Sequence, residues 1–320
     1  MMTSFNRRPL TTRDAGDWAA LLAAIQDADG SDEYASEEDL LEEFDRPGED
    51  FTRGSIAIHD GGTMVAYGVL TSRSEAEPIH EMRHEGGVHP SYRGRGLGAE
   101  LLNWAEQAAV LLHGDRFPGR PLSLSSGCLS SNAGAAALHE QRGYQPVRWF
   151  HSMVRDLSAG IPQAVIPSGV QIVGYTPDMA EHARLVRNEA FRDHWGSTET
   201  SAGIWAHFLA STAFRPGFSF LAYAGSEPLG MLISREHDAY NTRTGHRDLH
   251  ISLVGTRAAG RKRGIATALL VTAMSAARAQ GYDQASLGVD ADSLTNAVRL
   301  YEGVGFTVAL TWTAYRKRLA

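Results

Sequence analysis

The sequence predicts an α+β chain that carries one fold twice in tandem; its length and two internal repeats support this. At 320 residues it exceeds the roughly 250 to 300 residues at which a single hydrophobic core stops growing. VHPSYRGRGLGAELL (88–102) runs in register with TRAAGRKRGIATALL (256–270), so that Arg93 matches Arg261, Gly96 matches Gly264 and Gly98 matches Ala266 at an offset of 168. Further on, ALHEQRGY (137–144) matches RLYEGVGF (299–306) at an offset of 162. Two motifs recurring in the same order mean a duplicated domain.

Glycines and prolines cluster in LSAGIPQAVIPSG (157–169) without sustained periodicity, which marks a linker between domains at 1–158 and 165–320. In the second domain, residues 170–175 alternate and are rich in β-formers. Thr176 and Pro177 then read as a helix start, the helix running to about 191. Segments 218–224 and 229–234 predict a hairpin across the turn 225–228. A strand at 249–254, a glycine-bearing loop, an alanine-rich helix to about 280, a strand at 284–289, a helix at 296–302 and a terminal strand near 306–313 complete the order. The first domain follows the same order less clearly, with an extra helix near 37–44.

Composition narrows the class. Hydrophobic residues at 43% and charged residues at 21% exclude a disordered, collagen-like or coiled-coil chain. No apolar run approaches the roughly 18 residues of a membrane span, and residues 1–13 lack the apolar stretch of a secretory signal. A cytoplasmic protein without a membrane partner is expected. The single cysteine, Cys128, cannot form an intrachain disulfide or a cysteine-based zinc site, and reads as a small buried residue. A net charge of −7 gives no reason to expect nucleic acid as a partner.

Each repeat centres on R-x-x-G-x-G/A between a strand and a helix. There the backbone N–H groups of the turn and of the helix's first turn point outward unpaired, and with the helix dipole they form a seat for phosphate. The candidates are Arg93, Gly94, Arg95, Gly96, Leu97, Gly98 and Ala99 in the first domain, and Arg261, Lys262, Arg263, Gly264, Ile265, Ala266 and Thr267 in the second. The spacing is neither the G-x-G-x-x-G of a dinucleotide fold nor a P-loop.

VHPSYRGRGLGAELL and GTRAAGRKRGIATALL resemble the acetyl-CoA signature of the GCN5-related N-acetyltransferases (GNAT). NAVRLYEGVGF resembles that family's second conserved element, and the tandem order is similar to its mycothiol synthase-like branch. The resemblance implies two tandem GNAT folds, each a mixed, mostly antiparallel, splayed sheet flanked by helices. It implies acetyl-CoA as co-substrate, with pyrophosphate on the loop and pantetheine in the splay beside Val88 and beside Val254, Gly255 and Thr256. A small-molecule amine is the expected acceptor, with no metal, and a monomer or homodimer is the expected assembly.

In the family a tyrosine on the late helix serves the leaving sulfur. Tyr301 holds that place in the second domain and His139 in the first. A tyrosine near pKa 10 can donate a proton at neutral pH, whereas histidine donates only when charged, so the second domain is expected to be the active one. Asp248 and His250, two apart on a strand and so on one face, are the candidate base pair; Glu81 and Glu85 are taken as their first-domain counterparts. Asp193, His194 and Trp195, after the second domain's first helix, are candidates for binding the amine. His80, Glu81 and His84 spell HExxH, but residues four apart on a strand stand about 13 Å from each other and cannot share a zinc ion. Twelve of the 37 acids fall within 27–50, a solvated helix face or an attractor of a polycationic acceptor. The expected activity is acetyl transfer to a primary amine by direct attack. The alternatives are a non-catalytic acyl-CoA sensor or scaffold, and the mycothiol synthase reaction.

Overall fold

The computed structural model describes residues 5–73, 75–192, 194–293 and 296–320. The chain divides into unit 1, Met1–Trp149 with Thr311–Ala320, and unit 2, Phe150–Leu310.

Unit 1 begins with β1 (Asn6–Arg8), α1 (Ala15–Asp29), α2 (Glu37–Phe44), β2 (Ser55–Asp60), β3 (Thr63–Ser72) and β4 (His80–Val88). It continues through α3 (Leu97–Arg116), β5 (Leu122–Leu129), α4 (Ala133–Gln141) and the start of β6 (Gln145–Asp156). Unit 2 contains β7 (Gln171–Gly174), α5 (Ala180–Ala190), α6 (Ala202–Ala210), β8 (Phe220–Ala224), β9 (Glu227–Arg235) and α7 (Asp238–Thr244). There follow β10 (Asp248–Thr256), α8 (Ile265–Ala279), β11 (Gln284–Asp290), α9 (Ala297–Gly303) and β12 (Thr307–Arg318).

In unit 1 the sheet order is β1-β2-β3-β4-β5-β12, and in unit 2 it is β7-β8-β9-β10-β11-β6. Within these sheets only β4/β5 and β10/β11 pair in parallel; the other pairings are antiparallel. The last strand of each sheet comes from the other end of the chain. Residues Trp312 to Arg318 of β12 pair with β5, and Phe150 to Asp156 of β6 pair with β11. A single cut between 158 and 165 therefore does not describe the observed division, which exchanges the two closing strands. Nothing in the local pattern of either strand tells which sheet it completes.

The parallel pairs are short, and that opens the fold. β10 pairs with β11 over Asp248 to Ile251, yet β10 runs on to Thr256. Likewise β4 pairs with β5 over His80 to Arg83 and runs on to Val88. Beyond those points the strands part, so each unit has a splay ending near the N-terminus of a long helix, α3 or α8. Below the splay in unit 2, Leu249 and Ile251 share a buried cluster with Leu269 and Met274 of α8. In unit 1, Met82 packs with Leu102 and Ala105 of α3.

The two central strands differ by a bulge. The β10/β9 register shifts between Ile251 and Leu253, leaving Ser252 as the extra residue, whereas β4 pairs with β3 without interruption from Met82 to Val88. A one-residue slip turns side chains to the other face. Before the bulge Leu249 and Ile251 face α8, and after it Val254 does so, while Leu253 joins the cluster of Val186 and Met231. In β4 the even-numbered residues face α3 from His80 to Val88. Ahead of the bulge the correspondence between units is thus offset by one: Asp248 answers to Glu81, and His250 to Arg83 instead of Glu85.

Among the described residues no helix is long and apolar enough to cross a membrane. The HExxH letters lie on β4; there His80 Nδ1 sits 2.9 Å from His113 Nδ1, and His84 Nδ1 sits 3.1 Å from Ser126 Oγ. Cys128 is buried, and burial pushes its thiol up to about 11.

Candidate active site

The two glycine loops adopt one backbone. Each opens with a short 3₁₀ turn, Pro90–Tyr92 or Ala258–Gly260, followed by an extended arginine, Arg93 at φ −63° or Arg261 at φ −62°. Next comes a left-handed residue, Gly94 at φ 72° or Lys262 at φ 60°. Gly96 and Gly264, at φ 85° and 82°, are the N-caps of α3 and α8. Among the described residues no side chain caps either helix, so the outward N–H groups around Leu97, Gly98 and Ala99, and around Ile265, Ala266 and Thr267, are presented to whatever enters.

Their charges differ. Arg93 makes a two-point ion pair with Asp29, the last residue of α1, at 2.6 and 3.0 Å, and Glu100 stands in the first turn of α3. Arg95 lies 4.6 Å over the Tyr92 ring. Arg261 instead donates to the carbonyls of Thr256 and Ala190, at 3.4 and 3.3 Å. Ala190 is the last residue of α5, and α8 has no acid in its first turn. The unit 2 loop is anchored through Arg257, which donates to Glu189 at 2.6 Å, while Glu189 also accepts the Ala258 N–H at 3.2 Å. Arg257, Glu189 and Asp29 carry no signal in the sequence; their part shows only when the helix ends are placed against the loops. A concavity of about 280 Å³ borders Arg263, Gly264 and Thr267, walled by Pro162, Val165 and Pro167 of the linker.

Within the splay, Gly255 is there for packing: a Cβ on it would stand 2.9 Å from Ala190 Cβ and 3.0 Å from the Phe191 ring. Val254 packs on the α8 side. Ser252 Oγ and Thr256 Oγ1 are buried without a hydrogen-bond partner among the described residues. In unit 1, Val88 lies over Leu97 and Leu101.

On the face away from α8, the register puts Asp248 opposite Gln284 and His250 opposite Ser286. Ser286 Oγ donates to Asp248 Oδ2 at 2.6 Å, Gln284 Nε2 donates to Oδ1 at 3.0 Å, and His250 Nδ1 lies 3.0 Å from Ser286 Oγ. Burial raises the Asp248 carboxyl, partly offset by those hydrogen bonds. Burial also drives the His250 imidazole down to about 3, with His237 and Arg235 adding to it, so the ring is neutral at ordinary pH. In unit 1 the same places carry Glu81, ion-paired with Arg73 and Arg316, and Arg83, which is exposed and 3.2 Å from Glu85.

Tyr301 lies on the other side, in the cluster with Leu269, Val289 and Phe306. Burial lifts its hydroxyl to about 12, so it keeps its proton. Its counterpart His139 donates Nδ1–H to Ala135 O at 2.8 Å, leaving Nε2 buried without a partner among the described residues. Burial lowers that imidazole, so it stays neutral and has no second proton to give. The structure thus brings Asp248 and His250 together and places Tyr301 across the splay from them.

After α5, Phe191 touches β10 at Gly255, and the Trp195 ring lies 5.9 Å from Phe150 of β6. The His194 ring is 5.5 Å from that of Phe191. The segment therefore bridges from β10 to β6 on the His250 face. Asp193 lies outside the described residues.

Comparison with known proteins agrees with this geometry. The acetyltransferase (GNAT) family model matches residues 18–144 and again 183–306. A mycothiol acetyltransferase of Thermobispora bispora is 31% identical over 82% of this chain and 83% of its own. One from Salinispora tropica is 29% identical over 96% and 93%. A crystal structure of a GCN5-related N-acetyltransferase from Sphaerobacter thermophilus has a TM-score of 0.77 at 27% identity, covering 98% of this chain and 96% of that one. With two matched regions and a splayed sheet in each unit, the chain belongs to the GNAT family and is an acetyltransferase built from two tandem copies of that fold.

Proposed function

We propose that unit 2 transfers an acetyl group from acetyl-CoA to a primary amine of a small molecule, and that unit 1 is a degenerate copy. The observation that carries this is the unit 2 loop: an uncapped helix N-terminus beside an arginine that, among the described residues, is bonded only to carbonyls. Such a place suits a pyrophosphate, because N–H groups, dipole and an uncompensated guanidinium all favour negative charge. The buried, unpartnered hydroxyls of Ser252 and Thr256 suit the amide groups of a pantetheine arm, and the concavity at Arg263 suits its nucleotide end.

When bound, the coenzyme supplies an acetyl thioester. His250, neutral and with Nδ1 turned to Ser286, offers Nε2 to an N–H of the acceptor's neutral amine, directly or through water, and takes the proton shed by the attacking nitrogen as its bond to the acetyl carbon forms, when that nitrogen is a stronger acid than a free ammonium. Tyr301 offers its hydroxyl hydrogen to the departing sulfur. His194 and Trp195, on the bridge over the His250 face, hold the acceptor, and Asp193 stays a candidate on its sequence alone. Catalysis then needs both faces of the splay, and only unit 2 has an acid on one and a base on the other.

Calorimetry with acetyl-CoA tests the reading. Gly264→Glu puts a carboxylate where the pyrophosphate would sit and should weaken unit 2 binding at least 100-fold, a loss of about 2.7 kcal/mol. Gly96→Glu should leave turnover intact. If neither substitution changes binding, the loops are not coenzyme sites. Binding without turnover across polyamines, aminosugars, amino acids and peptides would favour a sensor instead. The relatives at 29–31% identity favour one acceptor above the others, the substrate of the mycothiol acetyltransferases, and it belongs first on that panel.

A further inference from the structure

A hydroxyl has one hydrogen and a carboxylate accepts only, and this fixes the direction of the contacts among Asp248, Ser286 and His250. Ser286 spends its hydrogen on Asp248 at 2.6 Å. Its oxygen, 3.0 Å from His250 Nδ1, is then left to accept, so Nδ1 must carry the hydrogen. In a neutral ring that leaves Nε2 as a lone-pair acceptor. Gln284 holds the other carboxylate oxygen at 3.0 Å, so the Asp248 side chain cannot swing away without losing both bonds, and Asn241 Oδ1, accepting the Asp248 backbone N–H at 3.0 Å, fixes the strand at that point. Unit 1 shows the pair without the anchor. His84 Nδ1 is 3.1 Å from Ser126 Oγ, but that histidine lies on the α3 face, away from Glu81, and its Nε2 is buried without a partner among the described residues.

We infer that Ser286 is a positioning residue, which relays Asp248 to His250 and locks the imidazole in the tautomer with Nδ1 protonated and Nε2 open toward the acceptor. The inference deepens the proposed function and, for its kinetic consequence, rests on His250 being the base. The charged and titratable groups facing His250 are His237 ahead of α7, Arg235 of β9 and, through Ser286, Asp248.

Two readouts separate the inference from the reading it rests on. Long-range ¹H–¹⁵N correlation on histidine-labelled protein, with His250 assigned through His250→Gln, should show protonated Nδ1 and bare Nε2 in the wild type. Ser286→Ala should lose that preference and Ser286→Thr should keep it, which also controls for damage to the strand. In parallel, Ser286→Ala should lower kcat about tenfold with the KM for acetyl-CoA unchanged, and Ser286→Thr should restore it. A protonated Nε2 in the wild type, or an unaltered tautomer in folded Ser286→Ala, overturns the inference. Full turnover by His250→Gln alongside the predicted tautomer change upholds the relay and overturns only His250's role as base.

Discussion

In unit 1 the loop arginine, Arg93, closes on the carboxylate of Asp29, while in unit 2 its counterpart Arg261 closes on the carbonyl of Ala190. Both partners end the first helix of their unit, so a single side chain at one helix terminus decides whether the cradle keeps its positive charge. Chemistry diverges in the same direction. Where unit 2 has a protonated phenol and an anchored neutral imidazole, unit 1 has a histidine with its one hydrogen committed to Ala135 and an exposed arginine. The two loops keep one backbone, with φ 72° against 60° and 85° against 82° at the paired left-handed positions, whereas the side chains around them differ in charge and in the protons they hold.

The comparison is most open to attack at the acid. Tyr301→Phe removes only the hydroxyl and should lower kcat by about 10² with acetyl-CoA affinity unchanged. His139→Ala should not alter turnover. Equal losses from the two substitutions would erase the asymmetry, since unit 1 would then be contributing a proton.

A smaller effect concerns the buried imidazoles. Burial, with His139 adding to it, holds His84 near about 3, below the roughly 6.5 of an unfolded chain. Its folded state prefers the neutral ring, so its contribution to stability is complete above pH 6.5 and is lost as pH falls from 6.5 toward 3. At pH 5 the loss is about 2 kcal/mol. His84→Asn should flatten melting temperature against pH between 6.5 and 5. An unchanged slope would show that His84 titrates in the open.

The loops, the repeat and the late helix were legible in the sequence because each is local: left-handed positions call for glycine, and the motifs keep their spacing. The order of elements followed for the same reason, except that α6 was given no bounds and α7 passed unseen. α7, DAYNTRT, is short and polar, and α6 announces itself only by Ser201, whose hydroxyl accepts the Ile204 N–H at 3.3 Å. What was not legible depends on register. Ser286 matters because it stands opposite His250 across a parallel pair, and the bulge at Ser252 shifts the count so that Arg83, not Glu85, answers to His250. The exchange of closing strands is hidden for a similar cause, since partner choice between two like sheets leaves no mark on either strand.

Asp29 offers a way to reverse part of the divergence. In a Gly264→Glu background, where unit 2 binding is expected to be weakened, Asp29→Asn frees the charge of Arg93 while keeping the side chain's shape. About 1 kcal/mol is expected for one partly exposed ion pair, or roughly a fivefold gain in acetyl-CoA affinity by calorimetry. No gain would mean that Glu100 in the first turn of α3, and not Asp29, is what closes the unit 1 cradle.

The smallest effect lies in the one place where the loop backbones agree but the residues do not. Lys262 holds φ 60° where unit 1 has Gly94 at φ 72°, and a side chain in that region costs roughly 1–2 kcal/mol. Glycine removes the strain but adds freedom to the unfolded chain, at roughly 0.5–1 kcal/mol. Lys262→Gly should therefore stabilise unit 2 by about 0.5 kcal/mol, a rise of about 1–2 °C in Tm. Gly94→Lys should destabilise unit 1 by a similar amount, because it imposes the same strain on the same backbone. Should acetyl-CoA affinity fall in Lys262→Gly while Tm rises, the strained lysine is kept for its charge at the cradle. Should affinity hold, the strain is a remnant that coenzyme binding does not use.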